Sequence, residues 1–252
     1  NGSATITAKV NDGTADSTEQ TFDLTVNAFT SGSTFKGKTY ETVTSGVTGR
    51  VWLDRNLGAA RVCTSSADNQ CYGHLYQWGR NDDGHEITNR FADDGFVSST
   101  TTNTVATGIE SADRPSTDAT FILNGVGLQD WTSADADGAL REAAWANAGI
   151  NDVCPASFSV PTYDEWVAEN SGYSKAADAF GGFLMLPAAG VRKAASGTVA
   201  NAGMTGDYWS KTSSDKDPGE AYRYYFNSGD SMNSSSGRGA GHSIRCIKDP
   251  VG

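Results

Sequence analysis

Four short segments place oxygen-bearing side chains beside a glycine, Asn81-Asp82-Asp83-Gly84, Asp93-Asp94-Gly95, Asp135-Ala136-Asp137-Gly138 and Asn227-Ser228-Gly229-Asp230, and Asp130 lies just before the third of them. Carboxylates and amides on tight turns are hard oxygen donors, the ligand type that calcium requires six to eight times over. The expected cofactor is therefore Ca2+, with Asp82, Asp83, Asp94, Asp130, Asp135, Asp137, Asp230 and Asn233 as candidate ligands. Counted from Ser133, the turn Asp135-Ala136-Asp137-Gly138 matches an EF-hand through Asp135, Asp137, Gly138 and Leu140. It fails where Ala144 stands in place of the bidentate Glu, so any calcium there would be held irregularly.

The other reactive side chains point away from catalysis. The three histidines, His74, His85 and His242, lie in no HExxH helix and beside no G-x-S-x-G elbow. The four cysteines, Cys63, Cys71, Cys154 and Cys246, have no paired CxxC spacing, so two disulfides in an oxidising compartment are expected rather than a zinc site. Cys63 and Cys71 flank a polar loop short enough to close as a small ring. The chain is expected not to be an enzyme.

These residues need a scaffold, and 252 residues can bury a sizeable core. The net charge of −11, from 30 acidic and 19 basic residues with no basic stripe, argues against nucleic acid and anionic membrane surfaces. No apolar stretch approaches the roughly 20 residues that span a bilayer, so no membrane insertion is expected. Ala4, Ile6, Ala8 and Val10 alternate with polar residues, Asn11-Asp12-Gly13 signals a turn, and Phe22, Leu24 and Val26 alternate again. Residues 1–29 thus read as a β-hairpin, 30–35 as a linker and 36–252 as the main domain. Helices are expected over Ala139–Ala148 and from a Thr162 cap onward. Strands are expected at Phe183–Ala189, Tyr222–Phe226 and Ser243–Ile247. The Gly/Ser/Asn-rich run Asn227–Gly241 reads as a loop, disordered or binding. The start on Asn1-Gly2, without Met, suggests a piece of a longer secreted protein.

Several landmarks appear in order: Trp52-Leu53-Asp54-Arg55-Asn56-Leu57-Gly58-Ala59, Tyr76-Gln77-Trp78-Gly79-Arg80, Asp130-Trp131, Cys154-Pro155, Val160-Pro161-Thr162, Glu165-Trp166, Tyr208-Trp209-Ser210 and Ile244-Arg245-Cys246. Over residues 36–249 this order resembles the Fibrobacter succinogenes major paralogous domain family. The resemblance implies an α+β fold of C-type-lectin-like or sulfatase-modifying-factor-like type, loop-rich, with short strands and two or more helices. The hairpin resembles the last strands of immunoglobulin- or cadherin-like adhesin repeats. Together they look like the ligand-binding domain of large bacterial RTX adhesins.

That resemblance implies a monomeric, calcium-dependent module at the bacterial cell surface, serving adhesion and biofilm formation. Its implied partner is the free C-terminus of a peptide on a host or neighbouring-cell protein. It also implies a Cys154–Cys246 bridge. The expected contacts are Asp230, Ser231 and Asn233 at or near the metal, Arg238 or His242 near the ligand, and Tyr224 as a wall; Trp52, Trp78, Trp166 and Trp209 are expected in the core. A calcium-dependent lectin is the alternative, although no Glu-Pro-Asn or Gln-Pro-Asp sugar tripeptide occurs. The sulfatase-modifying reading needs a reactive cysteine pair, which four disulfide-bonded cysteines would not supply.

Overall fold

A computed structural model describes residues 2–9, 17, 19–26, 28–87, 100–109, 120–123 and 130–250. Along the chain run β1 (Gly2–Ala8), β2 (Gln20–Val26), β3 (Ser33–Phe35), β4 (Lys38–Tyr40), β5 (Thr42–Thr44), β6 (Val51–Leu53), β7 (Tyr76–Gln77), β8 (Thr101–Thr102), β9 (Phe121–Ile122) and α1 (Ala139–Ala144). After them come β10 (Phe158–Ser159), α2 (Tyr163–Glu169), α3 (Ala176–Gly181), β11 (Val191–Arg192), β12 (Val199–Ala200), β13 (Gly206–Ser213), β14 (Glu220–Phe226), β15 (Ser231–Gly237), β16 (Gly241–His242) and β17 (Ile247–Lys248). Among the described residues, three helices and 28% strand make a mixed, sheet-dominated fold compatible with the α+β class. Among the described residues no helix is long and apolar enough to cross a membrane.

The strands form two four-stranded sheets, β10-β17-β6-β5 and β12-β11-β16-β7, a three-stranded sheet β13-β14-β15, and three pairs. The N-terminal strands pair antiparallel from Gly2 against Val26 to Ala8 against Gln20; the Asn11-Asp12-Gly13 turn lies outside the described residues. The expected linker contains β3, which pairs with β4. Phe29 then ties the entering chain to the body: its N–H donates to the Ala156 carbonyl (3.0 Å) and its ring meets Phe158 edge-on at 5.7 Å.

The core lies on both faces of β13-β14-β15. Successive residues of a strand face opposite ways, so Trp209 enters a cluster with Leu53, Trp78, Trp145 and Ile244. Tyr208, Tyr224 and Phe226 enter another with Trp52, Trp166 and Leu186, beneath α2. All six tryptophans are fully buried, the expected four among them. Five of the six indoles donate to main-chain carbonyls, at Ser210, Trp78, Arg80, Trp209 and Tyr76, so each ring fills volume and pins a strand or loop.

Both disulfides form, Cys63–Cys71 and Cys154–Cys246. Arg245, also fully buried, donates to Asn56 Oδ1 (2.9 Å) and the Leu184 carbonyl (2.7 Å), locking the segment before the second bridge.

Local differences from the sequence reading have identifiable causes. Helix α2 starts where expected: Thr162 Oγ1 accepts from the Glu165 N–H while Glu165 Oε2 accepts from the Thr162 N–H, a complete capping box. The preceding helix stops at Ala144 rather than Ala148, because the Ala144 carbonyl accepts from Asn151 N–H and Ala148 turns left-handed (φ 58°). Phe183–Ala189 forms no strand. Leu184, Leu186 and Ala188 are buried, but Leu186 N–H donates to the Ala179 carbonyl of α3, Ala188 N–H donates to the Ser66 carbonyl in a loop, and Met185 has φ 45°. Only Ile247 of the expected Ser243–Ile247 strand is in a ladder, in β17, while Gly241–His242 forms β16. Conversely, the Gly/Ser/Asn-rich run supplies β15, paired with β14 from Glu220–Gly237 to Phe226–Ser231.

Candidate ligand-binding site

Four of the predicted residues meet at one end of β13-β14-β15. Asp135 adopts a left-handed conformation (φ 57°) just before α1, which turns its carboxylate onto the helix: Oδ1 accepts from Leu140 N–H (2.9 Å), and Oδ2 from Arg141 N–H (3.0 Å) and Nε (3.1 Å). Burial pushes the Asp135 carboxyl up, but these donors outweigh it and its pKa is lowered. Asp130 binds Arg141 bidentately at 2.5 and 2.6 Å. Arg238, lying over Trp78 at 4.9 Å, donates to the carbonyls of Ala136 (2.9 Å), Asp137 (3.1 Å) and Glu220 (3.0 Å). Gly138 permits that approach, since a Cβ there would lie 2.6 Å from Arg238 Nη2.

Two buried guanidiniums thus collect the oxygens that the sequence assigns to calcium. The carboxylates of Asp130 and Asp135 and the carbonyls of residues 135–137 do not fit a calcium cage, because they already accept from Arg141 and Arg238. Arg238, expected near the ligand, is fully buried and binds loop carbonyls. Burial and Arg141 lower its pKa against the pull of Asp130.

Above this knot opens a groove of about 500 Å³, lined by Ala136, Asp137, Ser213, Ser214, Asp215 and Pro218 with Arg238 as floor. Asp137 and Asp215 are exposed. Asp137 Oδ1 accepts from Ala139 N–H (3.1 Å), and Asp215 Oδ1 accepts from the Tyr222 hydroxyl. The sequence reading missed Ser213, Ser214 and Asp215; Asp217-Pro218-Gly219 carried a turn signal there but no sign of what the turn would face.

The remaining candidates are dispersed. Asp82 pairs with Lys36 (2.6 Å) and Asp83 with Arg80 (2.8 Å). Asp83, His85 and Glu86 are the one group of three potential metal-binding side chains within 4.8 Å among the described residues. His85 Nε2 accepts from Gln77 N–H (2.9 Å), so Nδ1 carries the proton donated to Asp83 (2.6 Å) and the ring offers a metal no lone pair. Asp94 lies outside the described residues. Asp230 is exposed and accepts from Ser231 N–H (2.8 Å).

Asn233 exchanges hydrogen bonds with Asn170 (2.9 and 3.0 Å), and the Tyr224 and Ser231 hydroxyls meet at 2.9 Å. The Tyr224 ring stacks on Trp166 at 5.6 Å, wholly buried. His242, on the other side of the sheet, lies against Trp209 at 4.1 Å, and burial with Arg223 nearby holds its pKa well below the usual range. The set Tyr224, Ser231, Asn233, Arg238 and His242 therefore does not converge on one pocket.

No family model, curated protein or solved structure matches this chain.

Proposed function

We propose that the chain is an extracellular, calcium-dependent ligand-binding module of a bacterial surface adhesin, and that its ligand is the free C-terminal carboxylate of a peptide on a host or neighbouring cell. The support is a division of labour. The ordered landmarks shared with the resembled family are spent on the frame, as the buried tryptophans and Arg245 are, which leaves loops to meet ligands. The observation that carries the reading is the groove of Asp137, Ser213, Ser214 and Asp215 over Arg238. It is open, carries exposed carboxylates and hydroxyls, and is mounted on a loop braced by two buried guanidiniums.

In this reading the exposed carboxylates of Asp137 and Asp215 and the hydroxyls of Ser213 and Ser214 would hold the cation. A bound calcium supplies the positive charge that a peptide carboxylate needs beside an acidic wall. Arg238 keeps the floor rigid and positive, and Asp130 and Asp135 keep Arg238 and Arg141 in place.

The test is binding of one short peptide, with a free or an amidated C-terminus, in calcium or in EDTA. Strong binding is expected only for the free peptide in calcium, and Asp137→Asn with Asp215→Asn should weaken it. Equal binding under all four conditions refutes the proposal. Binding of free glycans in calcium, with no peptide response, points to a lectin instead.

A further inference from the structure

The sheet β13-β14-β15 ends in an open strand. β15 pairs with β14 over seven residues without a register shift, and among the described residues no strand pairs with its other side. Which main-chain groups that side presents follows from the ladder. Asn227 N–H donates to the Asp230 carbonyl at one end of the β14-β15 hairpin, and Arg238 N–H donates to the Gly219 carbonyl at the other. Hydrogen-bonded and non-bonded pairs alternate along an antiparallel ladder. Met232, Ser234 and Ser236 therefore direct their N–H and C=O groups at β14, whereas Ser231, Asn233, Ser235 and Gly237 turn theirs outward.

The chain closes both ends of this edge itself. Ser231 N–H donates to Asp230 Oδ1 (2.8 Å), and the Gly237 carbonyl accepts from Ala240 N–H (3.0 Å). Between them Asn233 and Ser235, both half-buried, carry two main-chain donors and two acceptors that meet no other partner among the described residues. Natural proteins blunt open edges with charge, proline or a bulge. The run Ser231–Gly237 has none of these. Donors and acceptors on alternate residues are matched by an extended polypeptide backbone. The window from Asn233 to Ser235 spans only about 7 Å, too little to supply the roughly 1,200 Å² of a stable interface between folded chains. A single peptide strand fits it better than a second copy. Charge narrows the peptide further: Glu220 Oε2 accepts from Ser235 Oγ, which sets a carboxylate beside the window, and among the described residues no cation pairs with it. The net charge of −11 favours a basic partner in the same sense.

We propose that this edge takes up an extended segment of a partner protein as a fourth, antiparallel strand, with a lysine or arginine facing Ser235 and Glu220. Antiparallel is the more stable pairing, and it gives Asn233 and Ser235 two hydrogen bonds each. The cation reaches Glu220 past the short Ser235 side chain. Neither calcium nor a free C-terminus takes part, so this site is independent of the groove over Arg238.

The probe is acetyl-Thr-Val-Thr-Lys-Thr-Val-Thr-amide, titrated into the intact chain in EDTA. It should bind with a Kd below about 1 mM and protect the Asn233 and Ser235 amides from hydrogen exchange, leaving that of Ser234 unchanged. N-methylation at the lysine and the second valine removes the donors that face β15 and should weaken binding at least about tenfold. N-methylation at the two threonines flanking the lysine, whose N–H groups face away, should not. Glutamate in place of the probe's lysine should weaken binding to the wild type more than to Glu220→Gln. Ser235→Pro removes one outward donor while leaving the ladder to β14, and should abolish binding. Asp137→Asn with Asp215→Asn should leave it intact, which separates this site from the groove. The proposal is overturned if the probe does not bind by about 5 mM, if both N-methylated forms bind alike, or if Ser235→Pro binds as the wild type does. It is overturned equally if the edge joins two copies of the chain, seen as a dimer that Ser235→Pro dissolves. Melting curves check the fold of each variant, and the N-methylated pair decides alone if Ser235→Pro does not fold.

Discussion

Replacing Glu86 with Gln should reshape the pH dependence of stability in a calculable way. Burial first, then the neighbouring Asp83 and Asp82, raise the Glu86 carboxyl from its ordinary 4.5 to about 7. The folded chain therefore keeps this proton to about pH 7, while the unfolded chain releases it near 4.5. The stabilisation is complete below 4.5, is lost as pH rises through that window, and is flat above 7. At about 1.4 kcal/mol per pH unit the loss is roughly 3 kcal/mol. Gln titrates nowhere, so the stability of wild type minus variant should fall by that amount between pH 4.5 and 7.5.

For a chain of this length that is about 6–12 °C in the difference of melting temperatures. The difference matters because the buried histidines act oppositely: His74, held near 3, and His242, held well below its usual range, gain stability for the fold as pH rises toward 6.5. Both proteins retain those histidines, and removing a nearby negative charge only holds His74 lower still, so their contribution cancels. Melting curves of both proteins at several pH values provide the test. Parallel profiles would refute the assignment of Glu86 as a buried, proton-holding carboxyl.

Three further outcomes follow from the same geometry. Removing the Cys154–Cys246 bridge, which spans 92 residues, should cost about 4–5 kcal/mol by urea denaturation, against about 2–3 kcal/mol for Cys63–Cys71, which spans 8. A reversed order of the two would contradict a loop-closure origin. Asp130→Asn leaves the buried Arg141 without its bidentate carboxylate and should destabilise by roughly 3–5 kcal/mol, whereas Asp230→Asn, at an exposed turn, should stay within about 0.5 kcal/mol. Thr162→Ala should cost about 1 kcal/mol through loss of the α2 cap, measured as a shift in the denaturation midpoint.

What the sequence made legible was local chemistry. Thr162 with Glu165 three residues on announces a helix start through atoms close along the chain. The aromatic run Tyr222–Phe226 likewise announces β14. The run Ser231–Gly237 carries little strand propensity and enters a sheet because β14 offers it a full ladder, so the decisive atoms are elsewhere. Phe183–Ala189 shows the converse: an apolar pattern with no neighbouring strand to pair with. The acidic turns were visible as clusters of oxygens, but their partners were not. Arg141 and Arg238 lie 97 residues apart in sequence by number, and composition cannot reveal that both guanidiniums converge on the loop at 135–137. Glu86 was equally silent, a lone acid whose raised pKa comes from its burial beside Asp83 and Asp82.

The places where the chain enters and leaves the main body share one anchor. Phe29 hydrogen-bonds Ala156, Asp249 N–H donates to the Ser157 carbonyl (2.9 Å), Ser159 Oγ donates to Asp249 Oδ1 (2.8 Å), and Cys154 is joined to Cys246. A mechanical load pulled between residues 28 and 249 passes through the short segment 154–159 and one covalent crosslink. Reduction of that disulfide would reroute the tension through everything between residues 155 and 245.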